Sequence, residues 1–487
     1  MSTDNGSSTN GVAATATGKA PASSADYGKT ASFLAVGVGL TGVITYAYFL
    51  IASHTLSKGD YGQITVLWSA VFITISALYR PIEQLLSRHI SERMVSGQSL
   101  REPMKVASTI QLGLSLLFTV VALALRGPIQ NSLLEGNETL YWVFFTSVLF
   151  YAASYFARGF LAGKQEFGLF VALILSESCF RTIFAVLVAV SVLSGQSAVA
   201  IGITAAPALS LLVVPFAFAH KAQKSKAVAA AGAAIEGSSA LPGRGAKDTA
   251  ADGFSLKHGG GFAAAVFLIM FSEQAFLNAG PLIIRGLQGA GEAGIIFNIL
   301  MLARAPLQLF QSVSTSILPH LTSLHTSDDP DAPREFGNTV KMVLLGIVAF
   351  TALVVVVVLI AGPKCMEIAF GKNGTYDRLG LLLVTFGMGL YLSSVTLNQA
   401  CIAQGQVRRA AVRWITCAVV FIGWNFLPIV SNEQRRVELG FLIAAAVLFL
   451  LLLWVYRRPH IDHPEDVPSP GSPEELEARL AVIDETV

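Results

Sequence analysis

Charge is scarce in this chain. Asp, Glu, Lys and Arg make up 13% of its 487 residues, where a soluble globular protein carries about a quarter. With 53% hydrophobic residues, that excludes a soluble domain and points to an all-α integral membrane protein. The net charge is only +2, which gives no footprint for a nucleic-acid partner. Cysteine is scarce as well. Cys179, Cys365, Cys401 and Cys417 stand apart with no CxxC spacing, so they read as single buried thiols rather than metal ligands or a disulfide frame. Residues 1–29 have no apolar core, which excludes a cleavable signal peptide and predicts a disordered cytoplasmic tail. Gly28-Lys29-Thr30 resembles a phosphate loop in three residues only. Ser23 stands where the first glycine belongs and no strand precedes it, so no nucleotide site is read there.

Long apolar runs are what the chain does have. A helix needs about 20 apolar residues to cross the hydrocarbon. Twelve candidate spans follow: 31–53, 61–82, 105–125, 138–157, 167–193, 197–219, 261–284, 293–318, 339–362, 379–400, 410–430 and 438–456. They divide the chain into an N-terminal six-helix half (30–220), a polar linker (221–258), a C-terminal six-helix half (259–457) and a tail (458–487). With the N-terminus inside, the inner segments hold more than twice the Lys and Arg of the outer loops. Both termini, the linker and the tail are therefore expected to be cytoplasmic. The outer loops are short and carry no catalytic constellation, so no enzyme is read and no cofactor is called. Asp328, Asp329 and Asp331 lie beside Pro330 and Pro333 and read as a solvated turn, not a metal site.

The two halves share a pattern. Leu56–Ser91 opens on a Gly-Asp-Tyr-Gly turn, and the design returns at Gln288–Ser323 with Gly-Glu-Ala-Gly. At a constant offset of 232 residues, Gly59 meets Gly291, Asp60 meets Glu292, Gly62 meets Gly294 and Leu86 meets Leu318. A second pair of turns matches Leu161-Ala162 to Ile402-Ala403. The chain reads as a duplication.

Charges inside the apolar runs are few and costly. Each costs at least about 2.5–3.5 kcal/mol at mid-bilayer and asks for a partner or a wet cavity. They are Arg80 and Glu83, Glu177 and Arg181, Glu273, and Arg304. Arg80–Glu83 and Glu177–Arg181 are spaced to pair along their own helices. Glu273 and Arg304 have no such partner. Glu273 sits among Ser272, Gln274 and Asn278, a polar face that belongs in the bundle interior. Pro81, Pro207, Pro215, Pro306 and Pro319 interrupt several spans and suit bent helices.

The repeated turns, the Pro-interrupted helices after them, and the stretches Arg158–Gln165 and Leu397–Val407 resemble the multidrug/oligosaccharidyl-lipid/polysaccharide exporter superfamily. Within it the chain is most similar to the polysaccharide-biosynthesis flippases. The resemblance covers about residues 30–457. It implies two six-helix bundles in a V that opens alternately to each side. It also implies a substrate, an undecaprenyl-pyrophosphate-linked oligosaccharide moved across the cell membrane for surface polysaccharide assembly. Such a head group is anionic and hydrated, so arginines suit its phosphates. On that footing Arg80, Arg181 and Arg304 are candidate phosphate contacts. Glu177 and Glu273 would serve sugar hydroxyls or a coupling cation, with Arg88 and Arg158 at the cytoplasmic mouth. Membrane lipids and a coupling cation are the other partners implied. A cation-coupled multidrug antiporter of the same fold is the alternative, disfavoured because residues 31–53 contain no acid. A glycan-assembly enzyme and a silent scaffold are weaker readings still.

Overall fold

The computed structural model describes residues 24–95, 98–212, 215, 256–301, 332–371 and 376–458, and no side chain is described for 24–32, 35, 95, 256–263 or 332–333. The N-terminal half consists of α1 (Ser24–Thr55), α2 (Lys58–Leu78), α3 (Arg80–Val95), α4 (Arg101–Ala124), α5 (Glu138–Gly163), α6 (Phe167–Ala189) and α7 (Gly195–Ser210). A single π-helical turn, Pro128–Leu133, joins α4 to α5. The C-terminal half consists of α8 (Leu256–Gln288), α9 (Ala290–Met301), α10 (Ala332–Phe370), α11 (Arg378–Ala403), α12 (Val407–Phe426) and α13 (Glu433–Arg457). The fold is an all-α, multi-pass membrane bundle of two helical repeats arranged as a V.

Nine helices among the described residues are long and apolar enough to cross a membrane. Three of the twelve expected spans are not among these nine, and two of them run into residues outside the described ones. The span at 197–219 is a described helix only over Gly195–Ser210, and the span at 293–318 is described only to Met301. The span at 410–430 is α12, whose first turns carry Arg408, Arg409 and Arg413. The span expected at 61–82 is part of a longer rod, because α2 and α3 run on from Lys58 to Met94. Their joint is Tyr79, two residues before Pro81, whose ring displaces the backbone of the preceding turn.

Burial sorts the helices. Within α4 and α10 only 17% and 11% of the apolar window is covered by protein, which leaves these two helices to lipid. They occupy the same place in the two repeats. Each half is packed around aromatics: Tyr48, Phe49, Trp68 and Tyr141 in the first, and Phe276, Tyr391, Trp414, Phe421 and Phe441 in the second. In the second core Trp414 Nε1 donates to Asn398 Oδ1 at 3.0 Å, so the one polar group of that ring is satisfied.

The duplication is visible in the backbone. After α5, Gln165 N–H donates to Ala162 O and Glu166 N–H to Leu161 O. After α11, Gly405 N–H donates to Ile402 O and Gln406 N–H to Cys401 O. Both turns use a left-handed residue, Gln165 at φ 56° and Gly405 at φ 73°. The matching partners are therefore Leu161 with Cys401 and Ala162 with Ile402, one residue away from the pairing that side-chain similarity suggests.

The Gly-Asp/Glu-x-Gly segments are not hairpin turns. They are the first turns of α2 and α9, which start at Lys58 and Ala290, again 232 residues apart. Ser57 caps α2, its Oγ accepting from Asp60 N–H at 3.2 Å and donating to the Asp60 carboxylate at 2.7 Å.

A candidate transport cleft between the two halves

The two repeated turns meet each other. A Cβ placed on Gly62 would lie 1.9 Å from the carbonyl oxygen of Ala290, and one on Gly294 would lie 3.2 Å from Gly62 Cα. Glycine is needed here for close approach of two backbones. Around this contact the halves are laced together at one end. Lys58 Nζ bonds Glu292 at 2.5 Å, and Gln434 of α13 reaches the other Glu292 oxygen at 2.5 Å. Tyr61 donates to Asn298, which in turn donates to Tyr376 at 2.9 Å. Arg285 at the end of α8 donates to Leu133 O at 3.1 Å and approaches Glu135 at 3.4 Å. Phe49 and Phe297 pack across the halves with ring centroids 4.6 Å apart and planes tilted by 53°. This end of the bundle is closed. Away from it α3 packs on α4 and α5 of its own half.

On that same end Asp377 caps α11, accepting from Gly380 N–H and pairing with Arg435. The Arg435 hydrogen bond holds the Asp377 carboxyl below the usual aspartate range. A depressed carboxyl stabilises the fold above its unfolded pKa, about 3.9, and loses that contribution as pH falls through the folded value. Acidification from pH 7 to 5 will therefore leave this cap intact. Below about pH 4 the melting temperature of the wild type will converge on that of Asp377→Asn.

The second charged group lies inside the N-terminal half. Tyr151, Ser154 and Arg158 stand on one face of α5 and look onto Glu177 of α6. Glu177 Oε1 accepts from Tyr151 at 2.8 Å and Arg181 at 2.9 Å, while Oε2 accepts from Arg158 at 2.5 Å and Ser154 at 3.3 Å. Arg181 also lies over the Trp68 ring at 4.6 Å and Arg158 over Tyr155 at 4.8 Å. Glu177 and Arg181 are 4% and 2% exposed, so this carboxylate offers no free oxygen to a substrate or cation. The group carries two guanidiniums to one carboxylate, a net positive charge. It borders α2, the helix that packs on α8 of the other half.

The expected in-helix pair Glu177–Arg181 is present, and it is one edge of this larger group. Arg158, which the sequence assigns to the cytoplasmic mouth, is turned onto Glu177. Arg88 pairs with Glu92 along α3 at 2.8 Å. Glu273 lies on α8 beside Ser272, whose hydroxyl is returned to Leu268 O at 2.7 Å. Arg80 opens α3 of the opposite half. Among the described residues no salt bridge joins those two. Arg304 and the Asp328–Asp331 segment lie outside the described residues. Among the described residues no group of three His, Cys, Asp or Glu is placed to hold a metal ion.

Sequence reading misses Tyr151, Ser154 and Trp68 around Glu177. The only signal for the first two is their spacing with Arg158 at i, i+3 and i+7, a polar stripe on an apolar helix. It also misses Tyr61, Asn298 and Tyr376, of which Tyr61 bonds Asn298 across the halves and Tyr376 bonds Asn298 within its own.

No family model and no curated relative matches the sequence. Solved structures do. The MATE multidrug transporter DinF-BH in complex with R6G aligns at a TM-score of 0.59 and 16% identity, covering 88% of this chain and 97% of its own. The eukaryotic MATE transporter AtDTX14 aligns at 0.57 and 15% identity, covering 93% and 98%. An inward-facing multidrug resistance MATE family transporter of the MOP superfamily aligns at 0.55 and 14%, covering 88% and 93%. The chain therefore has the fold of the MATE transporters of that superfamily.

Proposed function

We propose that this protein is a membrane transporter that moves an amphiphilic solute through the cleft between its halves by alternating access. The observation that carries this is the closed end, where the first turns of α2 and α9, one from each repeat, meet backbone to backbone at Gly62 and Ala290. A contact of two first turns from two repeats separates without unfolding either half. Of the two substrate classes, export of organic drug-like solutes has the stronger support, because two of the structures it resembles are multidrug transporters. Translocation of a lipid-linked glycan is the second reading. It is favoured by the charge of the N-terminal half, where Glu177 is already satisfied by Arg158 and Arg181 and the surplus is positive. A cationic drug is repelled by such a surplus; a diphosphate is attracted.

The test uses the full chain in proteoliposomes with two substrates, a fluorescent organic cation driven by a sodium or proton gradient and a lipid-linked diphosphate oligosaccharide. Accumulation of the first with no movement of the second establishes drug export, and the reverse establishes the flippase. Movement of neither would sink the transporter reading. With whichever substrate moves, Arg80→Ala and Glu273→Gln are each expected to lower the rate at least about tenfold, equivalent to ~1.4 kcal/mol, at unchanged expression. Full activity in both variants would remove these two residues from the route.

A further inference from the structure

We propose that the α12–α13 edge holds the phosphate head group of one anionic phospholipid between Arg413 and Arg458, with Trp454 as its floor. Five arginines gather here because the helices are antiparallel. Arg408, Arg409 and Arg413 open α12, and Arg457 and Arg458 close α13. Among the described residues none of the five makes a salt bridge with a carboxylate. The arrangement is built rather than scattered. The Arg413 guanidinium stands 5.4 Å from the Trp454 ring centroid and that of Arg458 3.9 Å, so one indole organises cations from both helices. Arg413 Nε is buried and has no hydrogen-bond partner.

The occupant follows from what adjoins the charge. Val412, Val419 and Val420 on α12 and Ile443, Val447, Leu450 and Trp454 on α13 are exposed apolar residues, and α13 is long and apolar enough to cross a membrane. A ligand that satisfies both features is anionic at one end and carries hydrocarbon at the other. A phosphodiester accepts several guanidinium hydrogen bonds at once, and tryptophan suits the boundary between head groups and chains. Residues 459–487 are rich in Asp and Glu and are the competing occupant. The apolar rows favour the lipid, because exposed valine, isoleucine and leucine run along both helices, more than the short Leu476, Leu480 and Ile483 stripe of the tail can cover.

The experiment is native mass spectrometry of the full-length protein in detergent, titrated with phosphatidylglycerol or phosphatidylcholine. One phosphatidylglycerol is expected to bind saturably, and phosphatidylcholine at least tenfold more weakly. Arg413→Gln combined with Arg458→Gln will abolish that preference, while Arg413→Lys combined with Arg458→Lys, which keeps both charges, will retain part of it. Arg80→Ala will bind the lipid normally, so the outcome does not depend on whether the cleft transports. Three results would overturn the proposal. One is unsaturable binding equal in wild type and the Gln variant. Another is displacement by inorganic phosphate as effective as by lipid, which would make this a free-anion site. The last is lipid binding that appears only when the chain is ended after Arg458, which would give the site to the tail.

Discussion

Replacing Gly62 with alanine will force the closed end of the bundle apart. The added carbon lands 1.9 Å from Ala290 O, 2.3 Å from Ala290 C and 2.8 Å from Gly291 N, all backbone atoms that no rotamer change can move. Overpacking of this kind costs about 1–3 kcal/mol, enough to shift a two-state equilibrium roughly 5–150-fold. The strain exists only while the halves touch, so it acts on the equilibrium between states rather than on the stability of either half. Spin labels at Thr55 and Arg378, both exposed and on opposite halves, will report a longer, broader distance in Gly62→Ala than in the wild type. Two comparisons sharpen the reading. Gly294→Ala meets its neighbours at 3.2–3.5 Å, so its effect will be far smaller. Lys58→Met removes an ion pair whose side chains are 42% and 31% exposed, and such pairs are worth only about 0–1 kcal/mol. An unchanged distance in Gly62→Ala would mean that this contact does not control closure.

That glycine pair was legible as a repeat long before it was legible as a contact. Sequence shows that Gly59-x-x-Gly62 recurs as Gly291-x-x-Gly294; it cannot show that the copies touch, because touching depends on how two helical halves are rotated against each other. The α5 and α11 turns show the opposite limit. Similarity aligns Gln165 with Gln406, yet the backbone aligns Gln165 with Gly405, since both must take the left-handed conformation. Side-chain identity and backbone role point one residue apart, and the backbone decides. Glu177 and Arg181 were readable as an i, i+4 pair because both stand on one helix. Arg158 cannot be joined to them from sequence, because nothing in one sequence tells which face of α5 meets α6.

Glu177→Ala will be the most destabilising single change in the N-terminal half. It removes the carboxylate that both Arg158 and Arg181 bond, and the side chains of those two arginines are 15% and 3% exposed. Breaking a buried pair by removing one partner costs about 3–5 kcal/mol, because the remaining charge is left without compensation. Here two such charges remain, side by side and away from water. Lower yield and a lower melting temperature in detergent are expected, with Glu177→Gln falling between Ala and wild type because its amide oxygen still accepts one hydrogen bond. The whole cluster behaves differently from any one part. Replacing Glu177 with leucine and both arginines with methionine removes the desolvation cost together with the attraction, so stability will return close to the wild-type value. Transport by that triple variant then separates two roles. If it folds well and still transports, the cluster serves only to fix α5 against α6. If it folds well and transports nothing, the surplus positive charge beside α2 acts on the substrate, and the reading of an anionic cargo gains over that of a cationic drug.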